Sequence, residues 1–388
     1  MFGVEYLIDK LNTAIASGTL TNLELAQASG AIDMLEKKGV VSVESSIYLP
    51  NPVTNKGRFI FVESENRYVF SDGERWDINQ IIKQPYFNLL AWGANGTGQL
   101  GDNTTITRSS PVSVVGGFTD WVQVSGSNRG LGIRANGSAW AWGCNLSGRL
   151  GDNTTTARSS PVSVVGGFTD WVQVAAGYVH SLGVRANGTA WAWGGNTQGR
   201  LGDGTTTSKS SPVSVVGGFT DWILVAGASH SLGIRANGSA WGWGFNQYGR
   251  LGDGTTTDRS SPVSVVGGFT DWVQVAAGFG HSIGLRANGS AWAWGANGSG
   301  QIGDGTTTSK SSPVSVVGGF TDWVQVSGNS HSLGLRANGT AWAWGGNGNG
   351  ELGDNTATSR LSPVSVIGGF TDWVQVSDGN GFSLGLRG

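Results

Sequence analysis

The sequence predicts a mainly β protein whose larger part is a six-bladed β-propeller with four-stranded blades. Six near-identical copies of 50 or 51 residues fill the chain from about residue 87 to its end, and they open at Trp121, Trp171, Trp222, Trp272, Trp323 and Trp373. Each copy contains four short stretches with strand character, separated by turn residues. A fixed period of this length with four strands per repeat is typical of a propeller.

The four strands are clearest in the copy that opens at Trp171, where they read WVQVAAG, HSLGVR, TAWAWG and SPVSVV. The second and third are joined by an Asn-Gly turn, Asn187-Gly188, which is the strongest short signal for a β-hairpin. Trp191 and Trp193 lie two residues apart, so we expect them on one face of their strand. Such large apolar groups are needed between stacked blades, which predicts a core role for both.

The two ends of the repeat region predict how the ring closes. The last copy stops after its second strand, at Arg387-Gly388, while the segment around Ala91-Trp92-Gly93 corresponds to a third strand. A composite blade, built from the C-terminal strands and these N-terminal strands, would close the ring and remove both sheet edges. The prediction is therefore five continuous blades and one composite blade within residues 87–388.

Residues 1–40 are predicted to form a helical hairpin. Apolar residues recur at helical spacing on both sides of Gly18, and the candidates for a docking stripe are Leu7, Leu11, Ile15, Leu25, Ile32 and Leu35. The hairpin is too small to be a domain alone, so these stripes are expected to pack on a partner or on another copy of the chain.

Residues 41–86 read as a linker followed by a small β-hairpin. The stretch from Gly57 to Asp77 alternates between apolar and polar residues and contains an Asp72-Gly73 turn and a closing Trp76. It resembles a short element found near the attachment regions of phage tail and appendage proteins. That resemblance implies that residues 1–86 anchor the chain to other virion proteins.

The repeat itself, AAGxxHSLGxRANGxAWAWGxNxxGxLGDGTTT, resembles that of the regulator of chromosome condensation family. The resemblance covers residues 87–388, and it implies a propeller. That family usually has seven blades, so six is a departure. Its nucleotide-exchange and photoreceptor activities are not implied here, because the chain has no wedge-like insertion and its tryptophans recur equally in every copy. Bacterial and phage proteins that use the repeat as a binding scaffold fit better.

The copies differ mainly in the loop between strands one and two and in the segment after WAWG. In an antiparallel four-stranded blade these two connections emerge on the same side, so the variation predicts one recognition face. Its candidate anchors are Arg129, Arg149, Tyr178, Arg200, Phe245, Tyr248, Arg250 and Phe279. Drift in exposed loops is the alternative. The first loop also alternates in length, which predicts pseudo-threefold symmetry.

Residues shared by the copies are predicted to be structural. Arginines such as Arg185 lie near aspartates such as Asp170 and are expected to tie blades together. The recurring histidines, His180, His230, His281 and His331, lack a catalytic partner unique to one blade, so we expect hydrogen bonds within the blade. Each GDGTTT-type loop offers a single carboxylate, too few for calcium. With Cys144 the only cysteine, no cysteine-based zinc site is expected, and no cofactor is predicted.

Charge and hydropathy restrict the partners further. The chain has 24 basic and 26 acidic residues without a basic stripe, which argues against nucleic-acid binding. It contains no 18-residue apolar stretch and no Sec-type signal, so neither membrane insertion nor Sec export is expected. We expect the protein to be made in a cytosol.

These observations predict a non-enzymatic structural or binding protein of a bacteriophage virion. Residues 1–86 would anchor it to the particle, and the propeller would display the recognition face to a host-surface glycan or protein, or to neighbouring virion proteins. The alternative is an intracellular bacterial protein-interaction scaffold in the cytoplasm. Whether the chain forms a homo-oligomer is left open.

Overall fold

The computed structural model describes residues 88–388 and, before them, only the backbone of four short strands. These strands form one sheet in the order β1-β2-β3-β4, with β1 parallel to β2 and the other neighbours antiparallel: β1 (Ser42–Val43), β2 (Phe59–Val62), β3 (Arg67–Ser71) and β4 (Trp76–Asp77). The chain divides into two compact units, Met1–Phe87 and Asn88–Gly388. The predicted helical hairpin, with its candidate anchor residues, lies outside the described residues.

The second unit contains five complete four-stranded antiparallel blades. Blade 1 consists of β7 (Trp121–Gly126), β8 (Arg129–Arg134), β9 (Ala139–Gly143) and β10 (Arg158–Ser163). Blade 2 consists of β11 (Trp171–Ala176), β12 (His180–Arg185), β13 (Ala190–Gly194) and β14 (Lys209–Ser214). Blade 3 consists of β15 (Trp222–Gly227), β16 (His230–Arg235), β17 (Ala240–Gly244) and β18 (Arg259–Ser264).

The remaining strands follow the same plan. Blade 4 consists of β19 (Trp272–Ala277), β20 (His281–Arg286), β21 (Ala291–Gly295) and β22 (Lys310–Ser315). Blade 5 consists of β23 (Trp323–Gly328), β24 (His331–Arg336), β25 (Ala341–Gly345) and β26 (Arg360–Ser365). Short 3-10 helices follow β9 and β17, at Leu146–Gly148 and Gln247–Gly249. The prediction of a mainly β propeller with four-stranded blades is confirmed.

Two further two-stranded sheets complete the second unit. The N-terminal half-blade is β5 (Leu90–Gly93) with β6 (Arg108–Ser113), and the C-terminal half-blade is β27 (Trp373–Asp378) with β28 (Ser383–Arg387). The composite blade expected from the sequence is therefore not joined in this structure. β5 and β28 are not hydrogen-bonded to each other, and among the strands that the structure describes neither has another neighbour at that edge.

The turn between the second and third strands takes positive φ only at the glycine of its Asn-Gly pair. Gly188 has φ +74°, and its N–H donates to Arg185 O at 2.8 Å. A Cβ on Gly188 would lie 2.1 Å from Thr220 O, which excludes other residues. Asn187 instead accepts hydrogen bonds through its side chain from the Thr189 backbone N–H and hydroxyl.

The apolar core lies between blades. The second tryptophan of each WAWG segment packs on the sheet of the preceding blade, as Trp193 does against Leu131 and Ile133 of blade 1. The first tryptophan of the segment is only half-buried and contacts a phenylalanine, as Trp191 does with Phe168 at 5.0 Å between ring centroids. First strands of adjacent blades contact one another, which places them nearest to the axis.

Candidate recognition face

Main-chain hydrogen bonds join the two variable segments in several blades. Gly195 N donates to Val179 O at 2.8 Å in blade 2, and Ala296 N donates to Gly280 O at 2.9 Å in blade 4. The loop after the first strand and the segment after the third strand therefore lie side by side. In each blade, the variable residues gather on one face, which we call the recognition face.

Two aromatic residues from alternate blades meet on this face. Tyr178 of blade 2 and Phe279 of blade 4 stand edge to face with ring centroids 6.2 Å apart, and they are 57% and 61% exposed. Both belong to the longer type of first loop. The Tyr178 N–H donates to Ala228 O at 2.7 Å, so the loop of intervening blade 3 supports the pair from below. We call Tyr178 and Phe279 the aromatic pair.

A groove beside blade 3 offers the second distinctive feature of the face. It encloses about 770 Å³ and is lined by Phe245, Gln247, Tyr248, Thr256, Thr257, Asp258, Ser309 and Ser311. Tyr248 is exposed and adopts φ +72°, a conformation that bulky residues avoid. Backbone strain of this kind costs about 1–3 kcal/mol and is concentrated at functional sites. The strained Tyr248 therefore marks the groove as a candidate binding site.

Charged groups surround the aromatic floor of the groove. The guanidinium carbon of Arg250 lies 4.4 Å from the centre of the Phe245 ring, and that of Arg200 lies 5.8 Å from it. Burial lowers the pKa of Arg250 to about 10 and also lowers that of Arg200, where nearby Asp258 opposes the shift. Asp258 accepts a 2.7 Å hydrogen bond from the Asn246 N–H through one oxygen. Sequence analysis missed Asp258, although no other copy has an acidic residue at this position.

Three of the arginines expected as anchors are buried, which corrects their assignment. Arg129, only 1% exposed, donates to Gly177 O, His180 O and the Ser181 hydroxyl. Arg149 and Arg250 are also buried, and their Nε atoms donate to Leu146 O and Gln247 O. These side chains hold loops in place because unsatisfied backbone carbonyls are costly inside a protein. Arg200 is half-buried and donates to Ser229 O at 2.7 Å.

The recurring histidines make their hydrogen bonds between blades, not within a blade as expected. His180 Nε2 lies 2.7 Å from the Ser231 hydroxyl of the next blade, and the same contact recurs for His230 with Ser282, His281 with Ser332 and His331 with Ser383. In blade 1, Arg129 replaces the histidine and bonds Ser181 of blade 2. The structural role predicted for this position stands, but it joins neighbouring blades.

A buried asparagine organises each GDGTTT-type loop, and sequence analysis did not single it out. In blade 2, Asn196 donates to Asp203, Thr205 O and Thr207 O, and its carbonyl accepts from Leu201 N. The equivalent residues are Asn95, Asn145, Asn246, Asn297 and Asn347, all fully buried. The signal was their recurrence two residues after every WAWG glycine. The aspartates are thus engaged internally, and residues 88–388 contain no cluster of three metal-ligating side chains.

The arginine–aspartate pairs lie inside blades, whereas the sequence suggested ties between blades. Arg185 Nε donates to Asp170 at 2.7 Å, and these residues flank the first and second strands of the same blade. The guanidinium also stacks 3.9 Å above the Phe168 ring. The equivalent pairs are Arg134–Asp120, Arg235–Asp221, Arg286–Asp271, Arg336–Asp322 and Arg387–Asp372. The charged side chains next to the invariant Asn-Gly turns are therefore paired with each other within their own blade.

A model of the RCC1-like domain family matches residues 88–385. Human WBSCR16 is 25% identical with a TM-score of 0.66, over 74% of this chain and 78% of that one. Saccharomyces cerevisiae Prp20p, whose binding to Gsp1p and histones has been characterised, is 20% identical with a TM-score of 0.69, over 83% and 80%. Yeast RCC1 bound to Kap60 is 20% identical with a TM-score of 0.65, over 79% of each chain. The yeast similarities bear on the fold alone.

Proposed function

The chain belongs to the RCC1-like domain family, and on that premise we propose that it is a non-enzymatic binding protein that contacts a protein partner through its recognition face. The family is a protein-binding fold. The structure of Prp20p was reported with its binding to Gsp1p and histones, and that of yeast RCC1 with Kap60 bound. Among the residues that the structure describes, no helix is both long enough and apolar enough to cross a membrane.

One observation carries this proposal. The side chains that recur from copy to copy are engaged within the blades or between them, whereas the exposed aromatics of the recognition face, Tyr178, Tyr248 and Phe279, occur in one copy each. Aromatic residues with large exposed area supply much of the binding energy at protein interfaces. They are also held in place, Tyr178 and Phe279 by backbone hydrogen bonds and Tyr248 by its turn. Such fixed anchors lose little entropy on binding.

Replacing these three aromatics is expected to weaken binding strongly without unfolding the protein. The triple variant Tyr178→Ser, Tyr248→Ser and Phe279→Ser should weaken binding at least about 30-fold, because a single hot-spot side chain contributes about 2 kcal/mol or more. Ile367→Ser is the matched control, since Ile367 is also an exposed apolar residue but lies in the link after a fourth strand. Binding is measured by interferometry on immobilised host-cell envelope and on purified particle proteins.

The same measurement distinguishes the chemistry of the partner. Protease treatment of the immobilised surface should abolish binding if the partner is a protein, and periodate treatment should abolish it if the partner is a glycan. A glycan is the second candidate, because the groove combines aromatic side chains with Asp258 and several hydroxyls. Equal binding by the triple variant and the parent protein would contradict the proposed face.

We also propose that the protein is a bacteriophage virion component, with residues 1–86 attached to other virion proteins. The support is the resemblance of residues 57–77 to an element of phage appendage proteins. Several copies on one particle would raise avidity, so that weak contacts at each recognition face suffice. An intracellular bacterial scaffold with the same propeller is the alternative.

Immunogold electron microscopy tests this location. Antibody against residues 88–388 is expected to label tails, fibres or capsid vertices of purified particles. The control is antibody adsorbed beforehand with the purified chain. Label confined to the cytosol of source cells, with clean particles, would contradict the virion assignment and favour the scaffold.

A further inference from the structure

Three residue types that occur in only one copy of the repeat meet in the groove beside blade 3. Phe245, Tyr248 and Asp258 all belong to that blade, and all three line the groove. At the same three positions the other copies have only small or uncharged polar residues and no aromatic or acidic one. Drift in exposed loops would scatter such differences around the ring. Their concentration indicates a site that is built on one blade.

One oxygen of Asp258 is not needed for the fold. Its Oδ1 accepts a 2.7 Å hydrogen bond from the Asn246 N–H. In blade 2 the hydroxyl of Ser208 accepts the equivalent bond from the Asn196 N–H at 3.2 Å, so a serine suffices for this role. Asp258 is exposed, and its Oδ2 accepts no hydrogen bond from any residue that the structure describes. This oxygen is therefore an acceptor that a ligand can use.

Hydroxyl groups provide most of the remaining polar lining. Thr256 and Thr257 contribute from blade 3, and Ser309 and Ser311 contribute from blade 4. Among the described residues, none of these four hydroxyls has a hydrogen-bond partner. A hydroxyl donates one hydrogen bond and accepts two, so it adapts to many polar ligands. The volume of about 770 Å³ falls within the range of about 300–1,000 Å³ that small-ligand sites occupy.

The charges around the groove disfavour ionic ligands of either sign. The guanidinium carbons of Arg250 and Arg200 lie 4.4 and 5.8 Å from the centre of the Phe245 ring, so a cation packed on that ring would be repelled. An anion would instead meet the exposed carboxylate of Asp258, which lines the groove, whereas neither arginine does. Repulsion between like charges is stronger in a partly buried site than in water. The groove therefore suits a neutral ligand.

A neutral saccharide has the complementary surface. The C–H face of a sugar ring packs on an aromatic side chain, and its hydroxyls donate to a carboxylate in charge-assisted hydrogen bonds. An added peptide strand would need free backbone groups at a sheet edge. Ser311, the residue of β22 that lines the groove, already accepts a 2.9 Å hydrogen bond from Gly254 N through its carbonyl. Side-chain hydroxyls are thus the groups that the groove presents.

We propose that the groove beside blade 3 binds a neutral saccharide, with Tyr248 packed on a sugar ring and Asp258 Oδ2 accepting a hydrogen bond from a sugar hydroxyl. This inference rests on the proposed recognition face and gives one part of it a ligand class. The aromatic pair does not line the groove and remains the contact for a protein partner. A glycosylated protein would engage both parts at once, which raises the overall affinity.

Free oligosaccharides test the ligand class. The full chain is applied to an array of neutral, anionic and cationic oligosaccharides, and the hits are titrated by calorimetry. The array includes chitotriose with its cationic deacetylated form, and galactotriose with its anionic counterpart trigalacturonate. We expect a neutral saccharide to bind, and its charged counterpart to bind at least about 10-fold more weakly because like charges are opposed. Preference for a charged saccharide, or no binding to any neutral one, would overturn the proposal.

Other copies of the repeat supply matched variants. Asp258→Ser introduces the residue that Ser208 provides in blade 2, and Tyr248→Ser introduces the residue that Ser147 provides in blade 1 at φ +63°. Each is expected to keep the parent melting temperature within about 2 °C. Each should weaken saccharide binding about 10-fold or more, since hydrogen bonds to charged groups and aromatic packing are lost. Gln198→Ser, at the position of Tyr248 in blade 2, is the control.

These variants also separate the inference from the proposed function. If Asp258→Ser binds the saccharide as tightly as the parent protein, or if Gln198→Ser weakens binding as much as Tyr248→Ser does, the groove is not the site. Binding to immobilised envelope that depends on Tyr178 and Phe279 would then still support a protein partner. Saccharide binding that is lost in the groove variants, without any binding to envelope or particle proteins, would support the groove and contradict the proposed function.

Discussion

Lowering the pH from 7 to 5 is expected to reduce the free energy of unfolding by about 2 kcal/mol for each fully buried histidine. Burial lowers the pKa of His281 to about 3 and takes those of His180 and His230 well below their usual value. Nearby arginines also lower the pKa of His180, His230 and His281. No arginine contributes to the lowered pKa of His331. The unfolded chain, in which a histidine has a pKa near 6.5, therefore binds a proton that the folded protein does not bind. The contribution of each buried histidine to the free energy of unfolding is complete above pH 6.5 and is lost as the pH falls.

The hydrogen bonds explain why protonation is unfavourable. Ser231 donates its single proton to Arg200 O, so its oxygen must accept from His180, which places the histidine proton on Nε2. The other ring nitrogen, Nδ1, is buried and has no hydrogen-bond partner. A second proton would sit there, charged and without an acceptor, which is costly in an apolar interior.

Urea unfolding at pH 7, 6 and 5 measures the effect. His281→Gln is the matched variant, because glutamine keeps an N–H donor for Ser332 and does not titrate. It should lose about 2 kcal/mol less than the parent protein between pH 7 and 5. An unchanged pH dependence in this variant would show that His281 takes up no proton on unfolding.

A separate loss of stability is expected below pH 4. Burial alone would raise the pKa of Asp102, but hydrogen bonds from Thr104, Arg108 and Asn95 outweigh it and hold that pKa at about 2. The pKa of Asp354 is lowered to about 2 in the same manner. Carboxylates with lowered pKa stabilise the fold above pH 4, and this contribution disappears as the pH falls from 4 to 2.

Trp243→Ala is expected to lower the free energy of unfolding by about 3–5 kcal/mol, because it removes a large side chain from a site that cannot collapse. Trp243 is 0% exposed and packs against Leu182, Val184 and Leu201 of blade 2. The backbones of both blades are fixed by hydrogen bonds, so they cannot close the space. Thermal and urea unfolding of the purified chain provide the measurement.

Trp241→Ala is the control for this substitution. Trp241 lies two residues earlier on the same strand, is half-buried and contacts Phe219 at 5.0 Å between ring centroids. Its removal opens a site that water can fill, so a loss of about 1–2 kcal/mol is expected. Equal losses for Trp241→Ala and Trp243→Ala would contradict a core located between blades.

The blades could be predicted because their determinants are local and repeated. Alternating residues, Asn-Gly turns and a constant period specify four strands per copy, as in the stretch from Trp171 to Ser214. The histidine contacts could not be derived in this manner. His180 and Ser231 are 51 residues apart, and only the packing of one blade on the next brings them together.

The exposure of the residues proposed for the recognition face was predicted correctly for some and wrongly for others. Tyr178 and Phe279 are exposed as expected, but Arg129, Arg149 and Arg250 are buried. Arginine type alone does not reveal whether a guanidinium meets solvent or a backbone carbonyl. Position does give a signal for Arg129, because it replaces a recurring histidine that is buried in the four copies that contain it.

The uniformity of the blade interfaces has a consequence for folding. Because the same histidine–serine bond recurs from blade to blade, a blade that docks on the wrong copy gains nearly the same contacts as one that docks correctly. A chain with such an error differs in structure from the native state by little more than one looped-out repeat. The energy gap between the native state and these competing states is therefore narrow. The correct neighbour of a blade must then be selected by its position in the sequence, because closing a short loop costs less entropy than closing a long one. Refolding from denaturant at high concentration should therefore yield blade-exchanged assemblies, whereas blades emerging one by one from the ribosome meet their correct partner first.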